Sequence, residues 1–214
     1  MLVMIDLDNT LGNRTEAVAL WVSEFVSSWK LPDEATGWIQ KLDNDGYSAR
    51  VDVFAAIQER YQIAAPVEEL LAAYQDRVIE LARPTEGAMR CLASLRGLGH
   101  TIAIVTNGST KQQHGKIDAM GLRSLVDAVI VSGDLGIKKP DARIFEAAAA
   151  ATGQRLLGSW MVGDAATNDV IGGHAVGAKT AWLHRDRTWT DPTCEPTVIL
   201  NSLSELCDAI AEHG

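Results

Sequence analysis

Cysteine is scarce. The three that occur, Cys91, Cys194 and Cys207, are odd in number, widely spaced and not arranged as Cys-x-x-Cys. That spacing suits neither a disulfide framework nor a zinc site. Long apolar runs are also lacking. The opening Leu2-Val3-Met4-Ile5 is too short for the core of a signal peptide and meets Asp6 at once, and no later stretch approaches the ~20 residues that span a bilayer. Positive charge is in deficit, with 19 Lys and Arg against 28 Asp and Glu, for a formal net charge of −9. Such a chain is repelled by nucleic-acid polymers and anionic membrane surfaces, so neither is expected as a partner, and any anionic ligand must be drawn by a local positive site. Internal repeats and low-complexity linkers are absent. The expectation is a globular protein of the reducing cytoplasm.

What is present fits one domain carrying a sizeable insertion. The 214 residues are 47% apolar and 22% charged, enough for a buried core. From about residue 86 onward short apolar strands alternate with helical stretches, the pattern of a parallel sheet flanked by helices. The candidate strands are Leu2 to Ile5, Thr101 to Val105, Asp127 to Val131, Ser159 to Val162, Thr180 to Leu183 and Thr197 to Leu200. Between the first two the period changes. Val18, Trp21, Val22, Phe25, Val26 and Trp29 recur at helical spacing. Breaks at Leu31-Pro32, Asp43-Asn44-Asp45-Gly46 and Pro66 divide this stretch into roughly four helices. The expected fold is therefore α/β, a Rossmann-like parallel sheet over residues 1–12 and 84–214, with an all-helical cap over 13–83 inserted after the first strand. Inserted there, the cap would lie above the carboxyl ends of the strands, where such sheets bind ligands, and act as a lid.

Four short stations carry chemistry. Asp6 and Asp8 stand at the end of the first strand in Asp6-Leu7-Asp8-Asn9-Thr10. An isolated pair of this kind reads first as a turn or helix cap. Thr106-Asn107-Gly108 ends the second strand, where a hydroxyl, an amide and backbone N–H groups can cradle phosphate oxygens, or simply make an Asn-Gly turn. Lys139, ahead of Pro140 and a following helix, is a cation at a loop that meets the strand ends, whereas Lys138 reads as a solvated lysine. The strand ending at Val162 runs into Gly163-Asp164-Ala165-Ala166-Thr167-Asn168-Asp169, with two more carboxylates at a strand-to-helix junction; each also fits a capping role.

Each station falls at the carboxyl end of its own strand or at the loop beside it, and in this order the chain resembles the haloacid dehalogenase-like (HAD) hydrolase superfamily over everything outside the insertion. The resemblance implies Asp6 as nucleophile, Asp8 as general acid/base, Thr106, Asn107 and Lys139 as phosphate binders, and Asp6, Asp8 and Asp164 as metal ligands, with Asp169 behind them. Two departures are Asn9, where glycine is frequent, and Ala165, where serine or threonine often stands. Neither removes a catalytic group.

Charge supports a metal. Asp6, Asp8, Asp164 and Asp169 against Lys139 leave about −3 before a phosphate dianion arrives. Two like charges at 4 Å repel by ~1 kcal/mol in water and ~4 kcal/mol at an effective dielectric of 20. Oxygen donors without clustered His or Cys suit Mg²⁺ rather than zinc, and the scattered His100, His114, His174, His184 and His213 read as structural. The implied activity is Mg²⁺-dependent hydrolysis of a small phosphomonoester, such as a nucleoside monophosphate or sugar phosphate, through a phosphoryl-aspartate on Asp6.

Asp8 separates this reading from two relatives. Carbon–halogen hydrolases of the superfamily are without an acid there, because departure of halide needs no proton; phosphonatases likewise lack that acid and use a lysine of the cap, for which Lys30 and Lys41 are only weak evidence. A phosphomutase shares both aspartates and stays open. A phospho-accepting receiver module, the reading from a different class, carries adjacent acids, a mid-chain acceptor and no helical insertion. Gln112-Gln113 after Gly108, the segment Gly172 to Gly177 and Trp182-Leu183 look most like pyrimidine 5′-nucleotidases and N-acylneuraminate-9-phosphatases. In the insertion, Arg14 and Tyr47 are the candidates for contact with the leaving group, with a helix-start arginine and a surface turn as the plainer alternatives. Trp21, Phe25 and Trp29 read as core.

Overall fold

The computed structural model describes residues 1–213, which divide into two compact units: residues 1–13 with those from 84 onward, and residues 14–83. Along the chain, β1 (Leu2–Ile5) is followed by the helices of the second unit, α1 (Arg14–Ser28), α2 (Glu34–Asp43), α3 (Arg50–Tyr61) and α4 (Val67–Glu80). The first unit then resumes with α5 (Ala88–Gly97), β2 (Thr101–Thr106), α6 (Thr110–Ala119), β3 (Ala128–Val131), α7 (Ser132–Leu135), α8 (Ala142–Thr152) and β4 (Trp160–Gly163). After a π-helical turn at Ala166–Ile171 come α9 (Gly172–Ala175), β5 (Lys179–Leu183), β6 (Val198–Leu200) and α10 (Leu206–His213).

The six strands form one parallel sheet in the order β3-β2-β1-β4-β5-β6. All four residues of β1 and of β4 are buried, as expected of parallel strands covered on both faces. Alternation sends Leu2, Met4, Ala103, Val105 and Met161 to one face, where Ile144, Phe145 and Ala148 of α8 pack on them. Helix α8 is capped at its start by Asp141, whose carboxylate accepts from the Arg143 N–H at 3.0 Å, and at its end by Gly153 with φ of 64°. Strand order reverses at β1, since β2 lies on one side of it and β4 on the other. A crevice outside the carboxyl ends at such a reversal is where open α/β sheets bind ligands. Asp6 follows β1 and Asp164 follows β4, so both are at that reversal.

The helical unit has its own core. Val18, Trp21, Val22, Phe25 and Val26 form one face of α1, packing with Ile39, Phe54, Ile57 and Tyr74 from the other three helices. Trp21 is central, its ring 4.8 Å from that of Tyr74 at 84° and 5.6 Å from that of Phe54. Each large side chain buried this way contributes ~1.5–3 kcal/mol, and edge-on aromatic pairs ~0.5–1.5 kcal/mol more. Trp29 departs from the core reading. It lies just past the end of α1 and is 39% exposed, while Trp38 packs against the cluster and Tyr61.

Candidate active site

The turn after β1 is a tight loop that presents Asp6. The Asp6 N–H donates to the Val162 carbonyl at 2.9 Å, continuing the sheet by one residue, and the chain then folds back with the Asn9 N–H donating to Gly12 O and the Gly12 N–H to Leu7 O. Asn9 sits at φ of 60°, a left-handed conformation that asparagine tolerates better than most residues other than glycine. The departure from glycine at this position thus preserves the backbone.

Three carboxylates converge beside this loop. Asp6, Asp164 and Asp169 are all buried, and each offers an oxygen within 4.8 Å of the others. Lys139, 2% exposed, lies between two of them, with Nζ 2.6 Å from Asp6 Oδ1 and 2.7 Å from Asp169 Oδ1. The second Asp169 oxygen accepts from the Ala165 N–H at 3.0 Å. Burial first, then the charges of Asp169 and Asp164, push the Asp6 carboxyl well above its ordinary range, with Lys139 opposing. Burial and Asp169 likewise raise Asp164. Burial works against the Lys139 charge, but Asp169 and Asp6 outweigh it and hold the ammonium protonated. Three mutually destabilising carboxylates, all oxygen donors with Lys139 between two of them, fit a small hard cation of the Mg²⁺ type.

Two other sequence candidates hold the frame. Asn107 is committed to the Lys139 backbone, its Oδ1 accepting from the Lys139 N–H at 2.8 Å and its Nδ2 donating to the Lys139 carbonyl at 3.0 Å. It pins the loop that delivers the lysine. Thr106, 1% exposed at the end of β2, accepts from Gln113 Nε2 at 2.6 Å.

Asp8 is engaged elsewhere. Its carboxylate oxygens lie 2.6 and 2.7 Å from Lys116 Nζ, and Oδ2 accepts from Gln113 at 3.1 Å. The carboxylate trio is therefore Asp6, Asp164 and Asp169, which differs from the expected Asp6, Asp8 and Asp164. Asp164 has its own cations: Arg185 Nη1 and Arg187 Nη2 reach its Oδ2 at 2.9 and 3.0 Å, while Arg187 and the Trp182 indole also donate to its carbonyl. The local charge of about −3 is corrected accordingly, because Lys116, Arg185 and Arg187 join Lys139 in matching the four acids. The case for a metal rests on the inner trio, not on net charge.

In the helical unit, Arg14 is drawn into an ion pair with Asp43, 2.7 Å away, which Arg50 also meets. A cavity of about 300 Å³ beside them is lined by Arg14, Thr15, Val18, Ala19, Gln40, Asp43 and Asp45. Tyr47 is 59% exposed. Lys138 is exposed, as a solvated lysine should be. No helix among the described residues is long and apolar enough to cross a membrane.

Compared with known proteins, residues 3–183 match the family model for haloacid dehalogenase-like hydrolase. The chain belongs to this family. Its relatives include proteins named as phosphatases and nucleotidases. Pyrimidine 5′-nucleotidase YjjG of Escherichia coli is 32% identical over 149 residues, 68% of this chain and 64% of the relative. Phosphoserine phosphatase of Thermus thermophilus is 35% identical over 54% of this chain and 46% of the relative. The chain thus spans between about half and two thirds of these two relatives. Glyceraldehyde 3-phosphate phosphatase of Methanocaldococcus jannaschii is 25% identical with 97% and 96% covered. Among solved structures, YfnB from Bacillus subtilis, bound to magnesium, aligns with a TM-score of 0.82 at 23% identity over 98% and 97% of the two chains, a likeness of fold.

Sequence reasoning on this HAD-like hydrolase missed Lys116, Gln113 as a contact of Asp8, Arg185 and Arg187. Lys116 resembles any cation of an amphipathic helix. Its three-residue spacing from Gln113 puts both on one face of α6, a signal that could have been read, but nothing in the spacing says that this face meets Asp8. Arg185 and Asp186 both take positive φ, 47° and 59°, which turns the segment after β5 in a way no sequence motif announces.

Proposed function

We propose that the chain hydrolyses a small phosphomonoester through transient phosphorylation of Asp6. The observation that carries this reading is a second carboxylate, Asp8, two residues beyond the buried Asp6 and held by its own lysine. Ester cleavage needs a proton donor for the leaving oxygen, whereas halide departure does not. An Asp6 oxygen attacks phosphorus, the P–O bond to the leaving group breaks, and Asp8 delivers the proton to that oxygen. Water then attacks the phosphoryl-aspartate, Asp8 takes its proton, and phosphate leaves with Asp6 restored. Lys139 and the Thr106 hydroxyl neutralise and hold the transferring oxygens. Mg²⁺, held by Asp6 and Asp164 with Asp169 adjoining, would supply the remaining positive charge on the phosphoryl group.

Relatives named for a pyrimidine 5′-nucleotide, phosphoserine and glyceraldehyde 3-phosphate agree on a small phosphomonoester and differ in the leaving group. A nucleoside monophosphate or sugar phosphate is the substrate class we assign. The test is a panel of phosphomonoesters, phosphopeptides and 2-haloacids, each with Mg²⁺ and with a chelator. Phosphate release from small esters only with Mg²⁺ is expected. Preferential turnover of phosphopeptides refutes the substrate class, and halide release without phosphate release refutes the reaction.

A further inference from the structure

Helix α6 does more than cover the sheet. Gln113 and Lys116, one turn apart and 1% and 6% exposed, reach from it to two separate strand ends. The Gln113 amide nitrogen has two hydrogens and two acceptors, Thr106 Oγ1 at 2.6 Å and Asp8 Oδ2 at 3.1 Å. Lys116 Nζ bridges both oxygens of Asp8 at 2.6 and 2.7 Å. The path is built for this: a Cβ on Gly108 would stand 2.7 Å from Gln113 Cγ and Cδ, so Gly108 leaves the room through which the amide passes. A buried lysine and a buried amide on one carboxylate fix its torsion more firmly than solvent would, since rotating the carboxylate breaks short, charge-assisted hydrogen bonds.

Resting on the phosphomonoesterase reading above, we propose that Lys116 and Gln113 are positioning residues that clamp the Asp8 carboxylate for proton transfer and couple its orientation to that of Thr106. A Thr106 hydroxyl that accepts from Gln113 has its own hydrogen to donate, so the same amide aims Thr106 toward an anionic oxygen. Neither clamp residue need touch the substrate. The effect of Lys116 falls on the proton-transfer step and leaves binding of the phosphoryl group alone, whereas Gln113 acts on both through Asp8 and Thr106.

The test compares the wild type with Lys116→Met and Lys116→Arg, using phenyl phosphate and p-nitrophenyl phosphate with Mg²⁺, inorganic phosphate as inhibitor, and crystal structures of the same proteins. Misplacing a catalytic group by about 1 Å costs up to ~10²-fold, so K116M is expected to lose ~10–10²-fold in kcat on phenyl phosphate. The loss on p-nitrophenyl phosphate is expected to be smaller, because that leaving group needs the proton less. KM and inhibition by phosphate should stay within about twofold, and K116R should regain part of kcat. In the K116M crystal the Asp8 carboxylate should leave its present orientation. If K116M does not fold, Gln113→Met removes a donor to the same carboxylate and should give the same leaving-group-dependent loss. Weakened phosphate inhibition with kcat intact would make Lys116 an anion-binding group and overturn the proposal. Equal losses on both esters, or an unmoved Asp8 in the variant crystal, also overturn it. A wild type inactive on both esters refutes the phosphatase reading instead, and the crystal comparison alone then judges the clamp.

Discussion

The Asp169 carboxylate fills the space where a side chain on Gly163 would stand: a Cβ built there would lie 2.1 Å from Asp169 Oδ2. Gly163 ends β4 and Asp169 lies in the following π-helical turn, so the glycine lets the chain return close enough for Asp169 to reach Lys139. Gly163→Ala must push the carboxylate aside. Overpacking of this kind costs ~1–3 kcal/mol, to be read as a lower melting temperature. Because the displaced group belongs to the carboxylate trio, turnover should fall further than the loss of stability explains, which assays well below the melting temperature will separate.

Asp6→Asn should leave the fold intact and abolish turnover. The amide nearly matches the carboxylate in shape, and Lys139 keeps Asp169 as a partner. Removing a nucleophile costs at least ~10³-fold in comparable covalent mechanisms. Steady-state rates on p-nitrophenyl phosphate, with circular dichroism on the same samples, check both halves, and retained turnover would refute Asp6 as nucleophile.

A third prediction concerns acid stability of the helical unit. Burial alone would raise Asp43, but its hydrogen bond and charge contacts with Arg14, followed by those with Arg50, outweigh that and hold the carboxyl below its ordinary value. A depressed folded pKa stabilises above the unfolded value of ~3.9 and stops doing so as pH falls through the folded value. Breaking so buried a pair costs up to ~3–5 kcal/mol. Asp43→Asn should therefore melt below the wild type at pH 7, and the gap should narrow as pH falls below the unfolded value of ~3.9. A gap independent of pH would show that the charge of Asp43 is not what the arginines stabilise.

The sheet was legible in the sequence because parallel strands are short apolar runs closed by polar turns, and β1, β2 and β4 are each of that kind. The edges were legible to within one residue, β3 as Ala128–Val131 and β6 as Val198–Leu200, although Ile199 in the edge strand β6 is half-exposed. In the site, Asp6, Lys139, Asp164 and Asp169 lie in windows where chain position alone puts them at the strand ends, and they meet there. Asp8 was legible as an acid but not as a partner of Lys116, since that contact joins residues 108 positions apart through the docking of α6. Asn107 read as a phosphate cradle and is engaged in holding the Lys139 backbone, a role that only the approach of two loops defines.

The last prediction concerns the cation and its rivals. Asp6, Asp164 and Asp169 suit Mg²⁺, yet Arg185 and Arg187 already lie on Asp164 Oδ2. A ligand that binds only the folded protein stabilises it by ~2.7 kcal/mol at a hundredfold excess over Kd, or ~5–10 °C in melting temperature for a chain of this size. Mg²⁺ should give a shift of this order and a chelator should reverse it, with no substrate present. Asp164→Asn should abolish the shift. The two guanidiniums oppose a cation at the same oxygen, so Arg185→Met should enlarge the shift at a fixed, subsaturating Mg²⁺ concentration. A diminished shift in that variant would mean that the arginines hold Asp164 in the orientation a cation needs, and an unchanged one that the cation is held without this oxygen. Zn²⁺ stabilising the chain where Mg²⁺ does not would refute the donor-set argument itself.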